Sequence, residues 1–208
     1  MNMMGRVYHI DRDSRGGLSI MRYVFLLLGL LLSSHMAYAD SEARPEPMIT
    51  TSQHGGYYFT MLPARSRDQE AFGVAYQLQD DGTSKELWRV HGWFAFTVYL
   101  SNQGKYLVRM GNWARGSAVS DDDLAVAFYK NGVELHSYST ADLVKNSRKV
   151  ERTIGHYMWL AYKQKHPMLS YDGIFYLKTI DGIEYQFDVT TGLITSDEER
   201  MKKIKLMW

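Results

Sequence analysis

The chain has 208 residues, no cysteine, a formal net charge of +1 and 45% hydrophobic residues. That length suits one domain or at most two small ones, and 13% aromatic with 23% charged residues excludes a disordered, collagen-like or membrane-bundle chain. Without Cys there are no disulfides, thiolate nucleophiles, iron–sulfur clusters or Cys-ligated zinc, and the near-neutral balance gives no electrostatic drive toward nucleic acid or an anionic bilayer.

The amino-terminal segment reads as an export signal. Arg22 is a basic flank, Val24–Leu32 is a nine-residue apolar run, and Ala37-Tyr38-Ala39 is a small-x-small cleavage site. Cleavage is expected after Ala39, and nine apolar residues are too few for a helix that needs roughly 20 to span a bilayer. No stable membrane anchor is therefore expected, and no Cys follows the run to carry a lipid. Residues 1–20 have neither a helical nor a strand period; they either extend the basic flank or precede a start at Met21. Loss of residues 1–39 would remove four Arg from 24 basic residues and two Asp from 23 acidic ones, leaving 20 and 21 and a charge of about −1. A periplasmic or secreted location follows as the expectation.

Residues 40–54 are polar, with Pro45 and Pro47, and read as a linker. Residues 55–208 read as a single β-rich domain. Val74, Tyr76 and Leu78 alternate with polar or small residues, and so do Ile183, Tyr185, Phe187 and Val189. Leu124–Tyr129 is apolar on both faces, which suggests a strand in the middle of the fold. Asp80-Asp81-Gly82, Asn102-Gln103-Gly104, Asn131-Gly132, Asp172-Gly173, Asp181-Gly182 and Thr191-Gly192 supply turns between such runs. About ten strands are predicted, over 57–62, 72–79, 84–90, 95–100, 105–110, 124–130, 133–138, 156–162, 174–179 and 183–189. Short turns between consecutive strands make an antiparallel β-meander, arranged as a sandwich or a partial-propeller-like sheet. Ser139–Val144 can form one helical turn. Ser196 and Glu199 make a capping box for a short carboxyl-terminal helix with Met201, Ile204 and Trp208 on one stripe.

Tyr99–Leu107 (YLSNQGKYL) resembles the L-S-x-D-G-K-Y-L hairpin of β-propeller blades of the TolB and WD-like type, with Gln103 where that family usually has Asp. The likeness covers nine residues and no blade-length repeat stands out, so it implies meandering hairpins rather than a closed propeller. Gly92–Leu160 also resembles uncharacterised exported bacterial β-rich proteins, a likeness that implies no activity.

Motifs of catalysis are missing from the sequence. His54, His91, His136, His156 and His166 form neither H-x-x-x-H nor H-E-x-x-H, and there is no G-x-S-x-G elbow or phosphate-binding loop. Asp121, Asp122 and Asp123 could offer oxygen ligands to calcium, but they lack the EF-hand spacing and read first as a solvated loop. The most suggestive group is aromatic. Trp88, His91, Trp93, Phe94, Phe96 and Trp113 lie close in sequence, His156, Tyr157 and Trp159 form a second group, and Arg89, Arg109 and Arg115 are neighbours. Such rings either fill a core or meet a sugar or peptide. Candidate ligand-binding residues are Trp88, His91, Trp93, Arg109, Trp113, His156 and Trp159. On the face alternation, Trp88 should share a face with Glu86 and Val90, opposite Leu87 and Arg89.

The reading is an exported non-catalytic binding module with no cofactor, whose partner is a glycan, a peptide or an envelope protein. The alternatives are a hydrolase of envelope or extracellular polymers, using carboxylates such as Glu86, Asp121–Asp123 or Asp188, and a secreted effector or inhibitor.

Overall fold

The computed structural model describes residues 42–161, 167–196 and 198. These residues build three four-stranded antiparallel meanders and one two-stranded ribbon. Sheet I contains β1 (Met48–Thr51), β2 (Tyr57–Leu62), β3 (Phe72–Leu78) and β4 (Ser84–His91), paired in chain order. Sheet II contains β5 (Val98–Leu100), β6 (Tyr106–Met110), β7 (Leu124–Lys130) and β8 (Val133–Ser139). The ribbon pairs β9 (Glu151–Arg152) with β10 (Tyr157–Met158), and sheet III contains β11 (Met168–Leu169), β12 (Ile174–Lys178), β13 (Glu184–Asp188) and β14 (Leu193–Ile194). The fold is therefore mainly β and antiparallel, as the two-residue period predicts.

Sheet II is the middle layer, and its sequence says why. Successive side chains of β7 point to opposite faces. Ala127 and Tyr129 join Leu100 and Leu107 in a cluster with Phe59, Met61, Trp88 and Val90 of sheet I. Val126 and Phe128 join Val108 and Met110 in a second cluster with Phe175, Leu177 and Phe187 of sheet III. Both faces of β7 are thus apolar because both are covered, and Ala125 to Phe128 are fully buried. Rings carry much of the second cluster: Phe128 lies 5.1 Å from Phe187 and 6.1 Å from Phe175, centroid to centroid.

The β7–β8 hairpin turns on Asn131 and Gly132, with φ of 49° and 81°. Two consecutive positive φ values give a turn whose twist matches the strands. At Gly132 a side chain would also collide with the backbone, since a Cβ would stand 2.3 Å from the carbonyl oxygen of Arg89.

The short α-helix α1 (Thr140–Leu143) is the turn expected after Ser139. Its capping box is complete. The Ser139 hydroxyl accepts from the Asp142 amide at 3.1 Å, and the Asp142 carboxylate accepts from the Ser139 amide at 2.8 Å. The Ser139 amide first, and then its hydroxyl, which also donates to Asp142 at 2.9 Å, hold the Asp142 carboxyl below its ordinary pKa.

Four expectations shift. The polar segment 40–54 contains β1, which pairs with β2 from Met48↔Met61 to Thr51↔Tyr58. The strand expected over 95–100 begins only at Val98, because Asn112 staples the preceding loop. Its Oδ1 accepts from the Phe96 amide at 3.2 Å and its Nδ2 donates to the Phe94 carbonyl at 2.7 Å. The strand expected over 156–162 is confined to Tyr157–Met158, with an isolated bridge from Leu160 to Thr179. In β4 the register shifts, so that Ala75 faces Trp88 while Tyr76 faces Glu86. This bulge skips Leu87 and resets the faces. Glu86 and Arg89 then share the solvent side as a bidentate ion pair at 2.6 Å, rather than lying opposite each other. The leader over Met21–Ala39 and the carboxyl-terminal helix from Ser196 onward fall outside the described residues, apart from Ser196 and Glu198.

Candidate functional site

The aromatic residues singled out from the sequence fall into three places. Trp88 is 8% exposed and sits in the core between sheets I and II, where its indole N–H donates to the Gly104 carbonyl at 2.7 Å. His91 is exposed at the end of β4 and lies 6.2 Å from the Phe72 ring. Trp93 and Arg109 belong to one network. The Arg109 guanidinium lies 4.3 Å from the Trp93 ring centre, Trp93 lies 5.5 Å from Tyr129, and the Tyr129 hydroxyl donates to Glu134 at 2.9 Å. Burial raises the Tyr129 phenol pKa; Arg109 opposes that shift and Glu134 adds to it.

Trp113, His156 and Trp159 meet in a shallow groove of about 170 Å³ beside β10. The Trp113 and His156 rings are 3.8 Å apart at their centres, and His156 Nδ1 is 2.5 Å from the Thr153 hydroxyl. His156 and Trp159 are 8% and 5% exposed, so their rings mostly form the floor.

The acidic run is structural in its third member. Asp121 and Asp122 are exposed. Asp123 accepts the Tyr157 hydroxyl at 2.7 Å, and that hydroxyl lies 2.6 Å from Thr140 Oγ1. Burial, with help from Asp123, pushes the Tyr157 phenol up to about 12. Among the described residues no group of three or more His, Asp or Glu is placed to hold a metal ion. The other carboxylates a hydrolase would need are also engaged: Glu86 with Arg89, and Asp188 with the Thr190 amide and hydroxyl.

A larger recess lies elsewhere, and it is built from turns. The first hairpin of each four-stranded sheet has the sequence Ser-x-x-Gly: Ser52–Gly55, Ser101–Gly104 and Ser170–Gly173. All three close the same way. The glycine amide donates to the serine carbonyl at 3.0, 2.9 and 3.2 Å in turn. The serine hydroxyl accepts from the amide that opens the next strand, from Tyr57 at 3.3 Å, Tyr106 at 3.0 Å and Ile174 at 2.9 Å. The hydroxyl bond adds to the backbone bond in closing each turn. Gly104 has φ of 66°, and a Cβ there would meet the Tyr57 ring at 2.5 Å, so this turn also fits against sheet I.

The three turns meet because the leading strands lie side by side. β5 neighbours both β1 and β11. Gln53 Nε2 donates to the Leu169 carbonyl at 2.6 Å, and the Tyr99 hydroxyl donates to the Pro167 carbonyl at 3.1 Å. The turns enclose an open pocket of about 380 Å³, lined by His54 from the first, Asn102 and Gln103 from the second, Tyr171 and Asp172 from the third, and by Thr190. Tyr171 is 68% exposed and meets His54 edge to face at 4.9 Å. Asn102 Oδ1 is buried and has no hydrogen-bond partner among the described residues.

Composition and alternation do not reveal this recess. The signal that could have found it is the recurrence of Ser-x-x-Gly before an apolar strand, at positions 52, 101 and 170. Comparison with family models, curated proteins and solved structures returned no match.

Proposed function

We propose that this chain is an exported, non-catalytic binding module that takes its ligand at the pocket formed by the three Ser-x-x-Gly turns. The observation that carries the reading is their convergence. Three turns far apart in sequence present His54, Asn102, Gln103, Tyr171 and Asp172 around one open recess. Its size lies in the range of about 300–1,000 Å³ usual for small-molecule sites. Side chains on turns held by a rigid sheet are also the common way for a β fold to recognise a ligand.

Export rests on the leader pattern, with basic Arg22, the apolar run Val24–Leu32 and the Ala37-Tyr38-Ala39 site. A periplasmic or secreted product beginning at Asp40 follows.

Arrays of immobilised glycans and of short peptides test the binding reading. The chain should bind at least one class of spot, and the double variant Asn102→Ala, Tyr171→Ala should lose it. Equal binding by the variant, or no binding to either array, would contradict the proposal.

A further inference from the structure

The chemistry of the pocket narrows the ligand class. We infer that the three-turn pocket binds an uncharged sugar ring, with Tyr171 as the stacking platform and Asn102, Gln103 and Asp172 as hydrogen-bond partners for its hydroxyls. The inference rests on the binding reading above and gives it a substrate class.

The lining is rich in groups that both donate and accept. Asn102 and Gln103 carry amides, Ser101, Tyr106, Tyr171 and Thr190 carry hydroxyls, and His54 an imidazole. Asp172 is the one formally charged residue among the lining residues, and no Arg or Lys joins it. A phosphate or carboxylate ligand would face that carboxylate without a cation to hold it. An apolar ligand would strip water from amides and hydroxyls and return no hydrogen bonds. A sugar ring answers both demands. Its hydroxyls can donate to the Gln103 amide oxygen and the Asp172 carboxylate and accept from the Asn102 amide. Planar amides and carboxylates suit pairs of neighbouring hydroxyls because they offer two coplanar atoms.

The ring platform is independent of this inventory. Tyr171 stands at the tip of the third turn, mostly open to solvent, yet its orientation is set by the edge-on contact with His54 from the first turn. An exposed aromatic face beside polar groups gives a sugar's C–H face an apolar partner. The turn itself is rigid. Ser170 Oγ donates to Asp172 at 2.6 Å and accepts from the Ile174 amide at 2.9 Å, which fixes Asp172 beside Tyr171.

Backbone amide shifts of the isotope-labelled chain read the outcome during titration with N-acetylglucosamine, glucose, a tri-alanine peptide and inorganic phosphate. A sugar should move the Asn102, Gly104 and Gly173 amides saturably. Tyr171→Ala should weaken that binding about tenfold, the equivalent of one good ring contact, while Tyr171→Phe keeps most of it. Tyr171 is exposed, so the variant should retain the amide spectrum of the folded chain. Shifts at these amides with the peptide or phosphate but with neither sugar would overturn the sugar inference and leave the binding reading standing. Sugar-induced shifts confined to Trp113 and His156, or an affinity unchanged by Tyr171→Ala, would overturn it as well. Silence with all four probes would also overturn it, whereas the binding reading falls only if both arrays are blank or the double variant binds as well as the parent.

Discussion

The hydroxyl of Ser101 accepts a hydrogen bond from the amide of Tyr106 at 3.0 Å, and so pins the tip of the β5–β6 hairpin to the strand that follows. The same bond joins Ser52 to Tyr57 and Ser170 to Ile174. One local device, used at the head of each large sheet, thereby sets the position of the three Ser-x-x-Gly turns that line the pocket.

Removing that device should loosen the hairpin. Ser101→Ala is expected to cost about 1 kcal/mol, the usual net value of one such bond. Ser52→Ala should cost less, because its bond is longer at 3.3 Å. Urea unfolding of the two variants checks both the size and the order.

The tryptophans should separate by burial. Trp88 is enclosed and its indole N–H is bonded to Gly104, so Trp88→Ala should destabilise by roughly 3–5 kcal/mol. Trp113 is only partly buried against His156, and Trp113→Ala should cost well under half of that. Equal losses would place Trp113 in the core rather than on the groove wall.

Alkaline pH should weaken the fold. The Tyr157 phenol titrates near 12 in the folded chain, against about 10 when unfolded. A raised folded pKa gives stability that is whole below pH 10 and disappears as the pH climbs toward 12. Burial raises Tyr99, Tyr138 and Tyr185 in the same direction. The urea midpoint should therefore fall between pH 10 and 12, and less steeply in Tyr157→Phe.

Acid should act through two carboxylates. Ser139 bonds hold Asp142 below its ordinary value. At Asp181 burial opposes the charge, yet hydrogen bonds from Thr179 and from the Asn146 and Lys145 amides outweigh it and keep the pKa low. Both contributions are present above their unfolded values near 4 and fade as the pH falls through the lower folded ones. Ser139→Ala should cost about 1 kcal/mol at neutral pH as a lost cap and should flatten the acid limb of the stability curve.

Strand content was legible where an apolar run of six or seven residues lay next to turn residues. β2 and β7 have the bounds expected from the sequence, 57–62 and 124–130, and the two apolar faces of β7 announced its place in the middle layer. What the pattern could not carry was anything decided by a distant partner. β1 is four residues of an otherwise polar segment and exists because β2 pairs with it. β11 and β14 are two residues each, too short for any period to be visible. The β4 bulge moved Arg89 beside Glu86, and no rule of alternation foresees a skipped residue. The aromatic reading was half informative. Trp113, His156 and Trp159 do meet, while Trp88 is core and Trp93 joins Arg109 elsewhere. The pocket escaped notice because its walls are polar turn residues separated by 49 and 69 positions, from Ser52 to Ser101 and from Ser101 to Ser170.

A crystal of the chain soaked with the sugar that binds it best decides where recognition occurs. The account predicts density for a ring lying against Tyr171 and within hydrogen-bond reach of Asn102 and Asp172. Density seated instead on Trp113 and His156, with the three turns empty, would contradict it.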